Sequence, residues 1–132
     1  MRNSLLSLRV ASIALLLGIS MSANAQQAGI SRTDLLQQSL SAQGRDVVQV
    51  RVGFAPGAVA ARHRHPGEEV AFVLEGRIEY RIDGKPPVVL DAGQTLFIPA
   101  GAVHMATNVG DGHAAELATY IVERGQPLVA SP

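Results

Sequence analysis

Three histidines and one glutamate stand out in this chain by type and spacing. His63 and His65 lie two residues apart in "GAVAARHRHPGEEVAFVLEG", Gly57 to Gly76, and Glu69 follows four residues on. Side chains at i and i+2 of a strand project to one face, roughly 6.5–7 Å apart. The two imidazoles therefore aim together, while Arg62 and Arg64 aim the other way toward solvent. Glu69 keeps the parity of the histidines, and Pro66-Gly67 must bend the chain between, which can return the carboxylate toward them. Glu68 has the opposite parity and reads as solvent-facing. Two imidazoles and a carboxylate suit Fe, Mn, Ni, Cu or Zn. A fourth ligand has to come from another strand. "GQTLFIPAGAVHMATN", Gly93 to Asn108, offers His104 just after a Pro-Gly corner. The remaining histidine, His113, lies in the turn-rich "VGDGHAAE" and reads as surface.

Strands must position these groups. From Val47, "VVQVRVGF" alternates Val48, Val50, Val52 and Phe54 with polar or small neighbours, the period of a half-buried strand. "EVAFVLEG", "RIEYRID", "PVVLDAG", "TLFIPAG", "HMATNVG" and "AAELATYIVE" follow at regular intervals, and "DGK" at Asp83 to Lys85 signals a hairpin turn. Seven such strands, punctuated by Gly and Pro with no helix between them, predict an all-β antiparallel sandwich or barrel. Met105, Phe72, Phe97 and Tyr80 are expected in the core. Residues 26–45 fit either a short helix or an extended arm, and "RGQPLVASP" reads as a loose end.

With these residues in view, the chain resembles the cupin family. Gly57, His63, His65, Glu69 and Gly76 match every position of its first motif, G-x5-H-x-H-x3,4-E-x6-G. Gly93, Pro99, Gly101, His104 and Asn108 match its second, G-x5-P-x-G-x2-H-x3-N. The resemblance implies a single jelly-roll β-barrel over residues 46–124, with residues 26–45 as an N-terminal arm and 125–132 as a C-terminal tail. It implies one divalent transition metal held by His63, His65, Glu69 and His104, with positions left for water, substrate or O₂. Glu69 is then also the candidate catalytic residue, a general base if it shifts off the metal. Asn108 is a family position read as a local hydrogen-bonding residue, and the motif glycines serve turns of positive φ or close approach. Among similar small proteins the quercetin-dioxygenase-like branch looks nearest, which implies oxygenase-like chemistry on a small organic substrate. A module that binds metal or a small ligand without turnover is the alternative. Val70 to Leu74 is apolar at both parities, so one side faces the core and the other is available for a homodimer.

The first residues read differently. Arg2 and Arg9 precede and open an apolar run from Val10 to Ile19, and Ala23-Asn24-Ala25 supplies a small-x-small cleavage pattern. Residues 1–25 are thus expected to be a cleaved secretory signal, with Gln26 as the new N-terminus and the periplasm or exterior as destination. Loss of Arg2 and Arg9 takes the basic residues from 11 to 9 against 11 acidic ones, a net charge of −2. That balance gives no basis for a nucleic-acid or anionic-membrane partner. With no cysteine, no disulfide supports the domain. Aromatic residues make up only 4% of the chain, which favours a small or aliphatic substrate.

Overall fold

The computed structural model describes residues 27–132, so the expected leader lies outside the described residues. These residues form nine strands and no helix: β1 (Ile30–Ser39), β2 (Arg45–Phe54), β3 (Val59–His63), β4 (Gly67–Glu75), β5 (Arg77–Ile82), β6 (Val88–Asp91), β7 (Thr95–Ile98), β8 (His104–Asn108) and β9 (Ala114–Glu123). They build two antiparallel sheets, a five-stranded one ordered β1-β2-β9-β4-β7 and a four-stranded one ordered β3-β8-β5-β6. The all-β class is as expected, and the two sheets form the jelly roll.

The core follows from alternation. Val50, Val52 and Phe54 of β2, Ala71 and Val73 of β4, and Ala118, Tyr120 and Val122 of β9 point inward from the larger sheet. Ile78 and Tyr80 of β5 and Ala106 of β8 meet them from the smaller one. Each large apolar side chain so buried contributes about 1.5–3 kcal/mol, the main force holding the sheets face to face. Phe72 and Phe97 correct the expectation of core packing. Their parity puts them on the outer face of the larger sheet, where Phe97 is 57% exposed. Val70, Leu74 and Ile121 are exposed on the same side.

Two segments left open or loose in the sequence are ordered against the barrel. Residues 30–39 form β1, antiparallel to β2, with a bulge between Asp34 and Leu36. Only Ile30 of that strand is buried, so main-chain pairing rather than a hydrophobic face recruits it. The tail is no loose end. Arg64 and Ala130 exchange two main-chain hydrogen bonds of 3.0 Å each, and Leu128 packs against the core. An apolar side chain and a free strand edge at Arg64 outweigh the entropy of ordering the last residues.

The turns justify the motif residues. Gly76 has φ of 76°, and a Cβ there would come within 2.7 Å of the His113 carbonyl, so both conformation and space require glycine. Asn108 ties the ends of two strands together. Its Nδ2 donates to the carbonyls of Phe54, Ala55 and Gly112 at 3.2, 3.1 and 2.7 Å, and its Oδ1 accepts from Gly110 N at 3.0 Å. Asn108→Ala would leave these buried groups without partners. We expect it to destabilise the fold by about 2–4 kcal/mol, measured by urea unfolding; a loss under about 0.5 kcal/mol would refute this role.

Candidate metal centre

His63 ends β3 and His104 opens β8, and the two are direct cross-strand partners in the smaller sheet. Their ring centroids lie 4.3 Å apart. His65 sits just beyond β3, its position set by the Arg64–Ala130 bridge and by Gly101 N, which donates to the His65 carbonyl at 3.1 Å. Its ring is 4.8 Å from that of His63 and 5.1 Å from that of His104. Each histidine offers a ligand nitrogen, and these atoms all lie within 4.8 Å of one another. Glu69 comes from β4 in the opposite sheet. Its Oε2 lies 3.0 Å from His65 Nε2 and 3.3 Å from His104 Nε2. Thus the structure brings together all four residues singled out by the motifs. His65, Glu69 and His104 are each 3% exposed, and His63 is half-buried. Arg62, Arg64 and His113 face solvent, as expected. Arg62 pairs with Asp83 there.

The hydrogen bonds on the far side of each ring decide what the near side can do. His63 Nδ1 meets the Ala61 carbonyl at 2.6 Å, His65 Nδ1 meets Leu128 O at 2.6 Å, and His104 Nδ1 meets Ala102 O at 2.9 Å. A carbonyl only accepts, so each Nδ1 carries a hydrogen and each neutral ring turns an Nε2 lone pair toward the others. His65 Nε2 and Glu69 Oε2 are close enough for an ion pair, yet both are buried and have no hydrogen-bond partner among the described residues. Two acceptors 3.0 Å apart repel unless a cation lies between or beside them. The same backbone-fixed tautomer is how proteins orient metal-ligating imidazoles. These residues therefore fit a divalent metal.

The electrostatics agree. Burial holds the His63 imidazole down at about 4, so it is neutral at ordinary pH. Burial works against ionisation of Glu69, but hydrogen bonding and charge from His104 and His65 outweigh it and hold the carboxyl at about 2. Burial also depresses His104, but Glu69 and the Ala102 carbonyl raise it further, to a net value above the ordinary 6.5. Without a metal, Glu69 thus favours a proton on His104 as the substitute cation.

His63, Glu69 and His104 stand at the wall of a cavity of about 640 Å³ that also reaches Arg32, Tyr80, Ala106, Glu116, Tyr120 and Leu128. The Tyr120 ring leans on His65 with centroids 4.6 Å apart. Sequence reasoning missed Glu116, and a signal was there. In "AAELATYIVE" it shares the parity of Ala118, Tyr120 and Val122, the inward face. Arg32 and Leu128 had no such signal, because the strand and tail that carry them lack clear periodicity.

The cupin domain matches residues 50–126. The chain belongs to the cupin family. It is 35% identical over 82 residues to Germin-like protein 1 of Brassica napus, covering 58% of this chain and 40% of that one. It is 43% identical over 42 residues to the dimethylsulfoniopropionate lyase DddQ of Ruegeria pomeroyi, covering 32% of this chain and 21% of that one. Among solved structures, oxalate oxidase in complex with glycolate superposes with a TM-score of 0.65 at 28% identity, over 78% of this chain and 55% of the other. The chain therefore spans well under two thirds of the length of these relatives.

The Leu128 carbonyl makes the metal centre depend on the chain's end. A chain lacking residues 126–132 should keep its β-sheet circular dichroism but bind Zn(II) about 10–100-fold more weakly in chelator competition. Unchanged affinity would show that the tail does not orient His65.

Proposed function

We propose that this chain holds one divalent transition metal through the Nε2 atoms of His63, His65 and His104 and the Glu69 carboxylate, and acts on a small organic substrate as an oxygenase-like enzyme. The observation that carries this reading is the set of three converging imidazole nitrogens beside an ionised carboxylate, two of whose buried polar atoms, His65 Nε2 and Glu69 Oε2, lack partners among the described residues. Three imidazoles and one carboxylate suit Fe, Mn, Ni, Cu or Zn, and availability selects among them. Bound there, the metal supplies a Lewis acid or redox centre with open positions for ligands.

The chain's own residues do the rest. The Ala61, Leu128 and Ala102 carbonyls keep the three imidazoles in the ligating tautomer. Glu69 remains a carboxylate down to about pH 2, ready to ligate, and when displaced from the metal it can accept a substrate proton. Ile30, Leu128 and Val129 give the cavity an apolar rim that limits water around a bound molecule. The similarity to oxalate oxidase in complex with glycolate and to dimethylsulfoniopropionate lyase supports a small organic acid as substrate.

Purified protein should carry close to one transition-metal ion per chain, and His104→Ala should remove most of it, by elemental analysis. The pH dependence has a definite sign. His104 binds protons above the ordinary imidazole range, so metal competes with a proton there first. Affinity should fall as pH drops and His104 begins to protonate, and collapse near pH 4, where His63 also protonates. Full retention at pH 4 would refute this ligand set. O₂ uptake by the Fe(II) form with flavonols, catechols, diketones and small carboxylic acids tests the oxygenase reading. Metal occupancy with no consumption across the panel would favour the alternative, a metal- or ligand-binding module without turnover.

We further propose export to the periplasm or beyond, from the leader pattern at residues 1–25, and pairing of two copies through the outer face of the larger sheet. Val70, Phe72, Leu74, Phe97 and Ile121 form an apolar patch there, suited to a self-complementary interface. Protein recovered from the periplasm should begin at Gln26 and sediment as a dimer, and Phe97→Glu should yield monomers. An uncleaved N-terminus, or a monomeric parent chain, would refute the corresponding half.

A further inference from the structure

Glu116 is fully enclosed in the barrel yet plays no part in the four-residue set. It projects from β9 into the cavity, and Tyr80 of β5 donates its hydroxyl hydrogen to Glu116 Oε2 at 2.5 Å. Both residues line the same cavity as His63, Glu69 and His104. A carboxyl in the core normally disappears or acquires a cationic partner. Here the groups that face it are Arg32 from β1, Glu69 from β4, Tyr80 from β5, His104 from β8 and Tyr120 from β9. Among the described residues no hydrogen bond or ion pair joins Arg32 or His104 to Glu116, and its direct partner is a phenol.

We propose that Glu116, paired with Tyr80, is a second acid–base group of this cavity, one that stays off the metal and donates a proton to a small carbonyl compound bound beside it. The inference rests on the metal reading above, since the metal is what would hold that compound. Glu69, the ionised carboxylate, takes the α-proton of the bound molecule as the Glu116 carboxyl gives its own proton to the enolate oxygen that forms. The resulting carboxylate keeps the Tyr80 hydrogen bond, and the reverse transfer restores the acid. No oxidant is consumed.

Two opposite environments support the division of labour. Glu69 faces imidazoles and is held ionised. Burial, with the negative charge of Glu69 adding to it, pushes the Glu116 carboxyl up to about 8 against the Tyr80 hydrogen bond and the charges of His104 and Arg32. Carboxyls pushed apart in this way take acid and base roles. Tyr80 cannot take the role itself, because burial and Glu116 drive its phenol far up.

The test uses the full chain, Zn(II) as a redox-silent probe metal, and pyruvate, whose methyl protons exchange slowly with D₂O unaided. In metal-free protein at pH 6, infrared spectra should show the carbonyl band of a buried carboxylic acid. The band should vanish in Glu116→Gln and fade in the parent chain with a midpoint near pH 8. The zinc-loaded parent should accelerate pyruvate exchange. Glu116→Gln should lower that rate about 100-fold with zinc content unchanged. Tyr80→Phe, which removes a hydrogen bond to the carboxylate, should raise the infrared midpoint and the pH profile of exchange together, a response that a packing role would not produce. Absence of the band, its survival in Glu116→Gln, or equal exchange by parent and variant would overturn the proposal. Failure of the metal reading looks different: zinc is not taken up, while the Glu116 band is present and titrates.

Discussion

Hydrogen-bond acceptors aimed at one point in a buried interior repel each other, and this chain fixes four of them there. The His63, His65 and His104 rings each spend their hydrogen on a backbone carbonyl, and Glu69 brings a carboxylate to the same place. In water such groups would be hydrated; inside the barrel only a proton or a metal cation relieves them. A protonated His104 relieves part of the set, since one imidazolium hydrogen reaches one acceptor. A divalent cation meets all four together. Much of the surrounding structure can be read as keeping this arrangement from relaxing.

The jelly roll suits that purpose because the four converging groups come from both of its sheets. His63 and His104 are fixed by direct pairing in the smaller sheet, and Glu69 is paired on one side to Ile98 and on the other to Tyr120 in the larger. Two faces held together by a hydrophobic core cannot move independently by more than side chains allow. His65 is the exception. It lies past the end of its strand, and the last residues of the chain secure its ring through the Leu128 carbonyl and the neighbouring Arg64 main chain through Ala130. The first described strand and the tail, which carry little of the core, thus supply the rim of the cavity and one of its restraints.

The four candidate ligands were legible because they depend on local rules. A histidine pair at strand spacing, a bend at Pro66-Gly67 and a corner at Pro99 to Gly101 each leave a mark in a few consecutive residues. Seven of the nine strands were legible for the same reason, from apolar runs or alternation punctuated by Gly and Pro. Strand β1 was not, since Ser31 to Ser39 are exposed throughout and main-chain bonds to β2 hold them. Strand β3 shows no hydrophobic alternation, since only Ala60 and His63 are even partly covered. The tail could not be read locally at all: its partners lie more than sixty residues earlier, and one short apolar stretch at Leu128 and Val129 carries no period. Phe72 and Phe97 misled for a related reason. Apolar type argues for burial, but the pleat decides which side a residue takes, and these two fall on the outer side.

Glu116 shows how position within one cavity separates two residues of the same type. Glu69 and Glu116 are equally excluded from solvent, so desolvation alone would neutralise both. What differs is the neighbourhood. Glu69 lies within 3.3 Å of two imidazole nitrogens, able to carry positive charge, whereas Glu116 receives one phenolic hydrogen and feels the negative charge of Glu69 across the cavity. The first carboxyl therefore sheds its proton far below neutrality and the second keeps it above. A metal bound at Glu69 would cancel that negative charge and ease the proton off Glu116. Metal loading and proton availability are then coupled through space: on the proposed reading, filling the site makes the cavity's acid a stronger one at the moment a substrate can be held there.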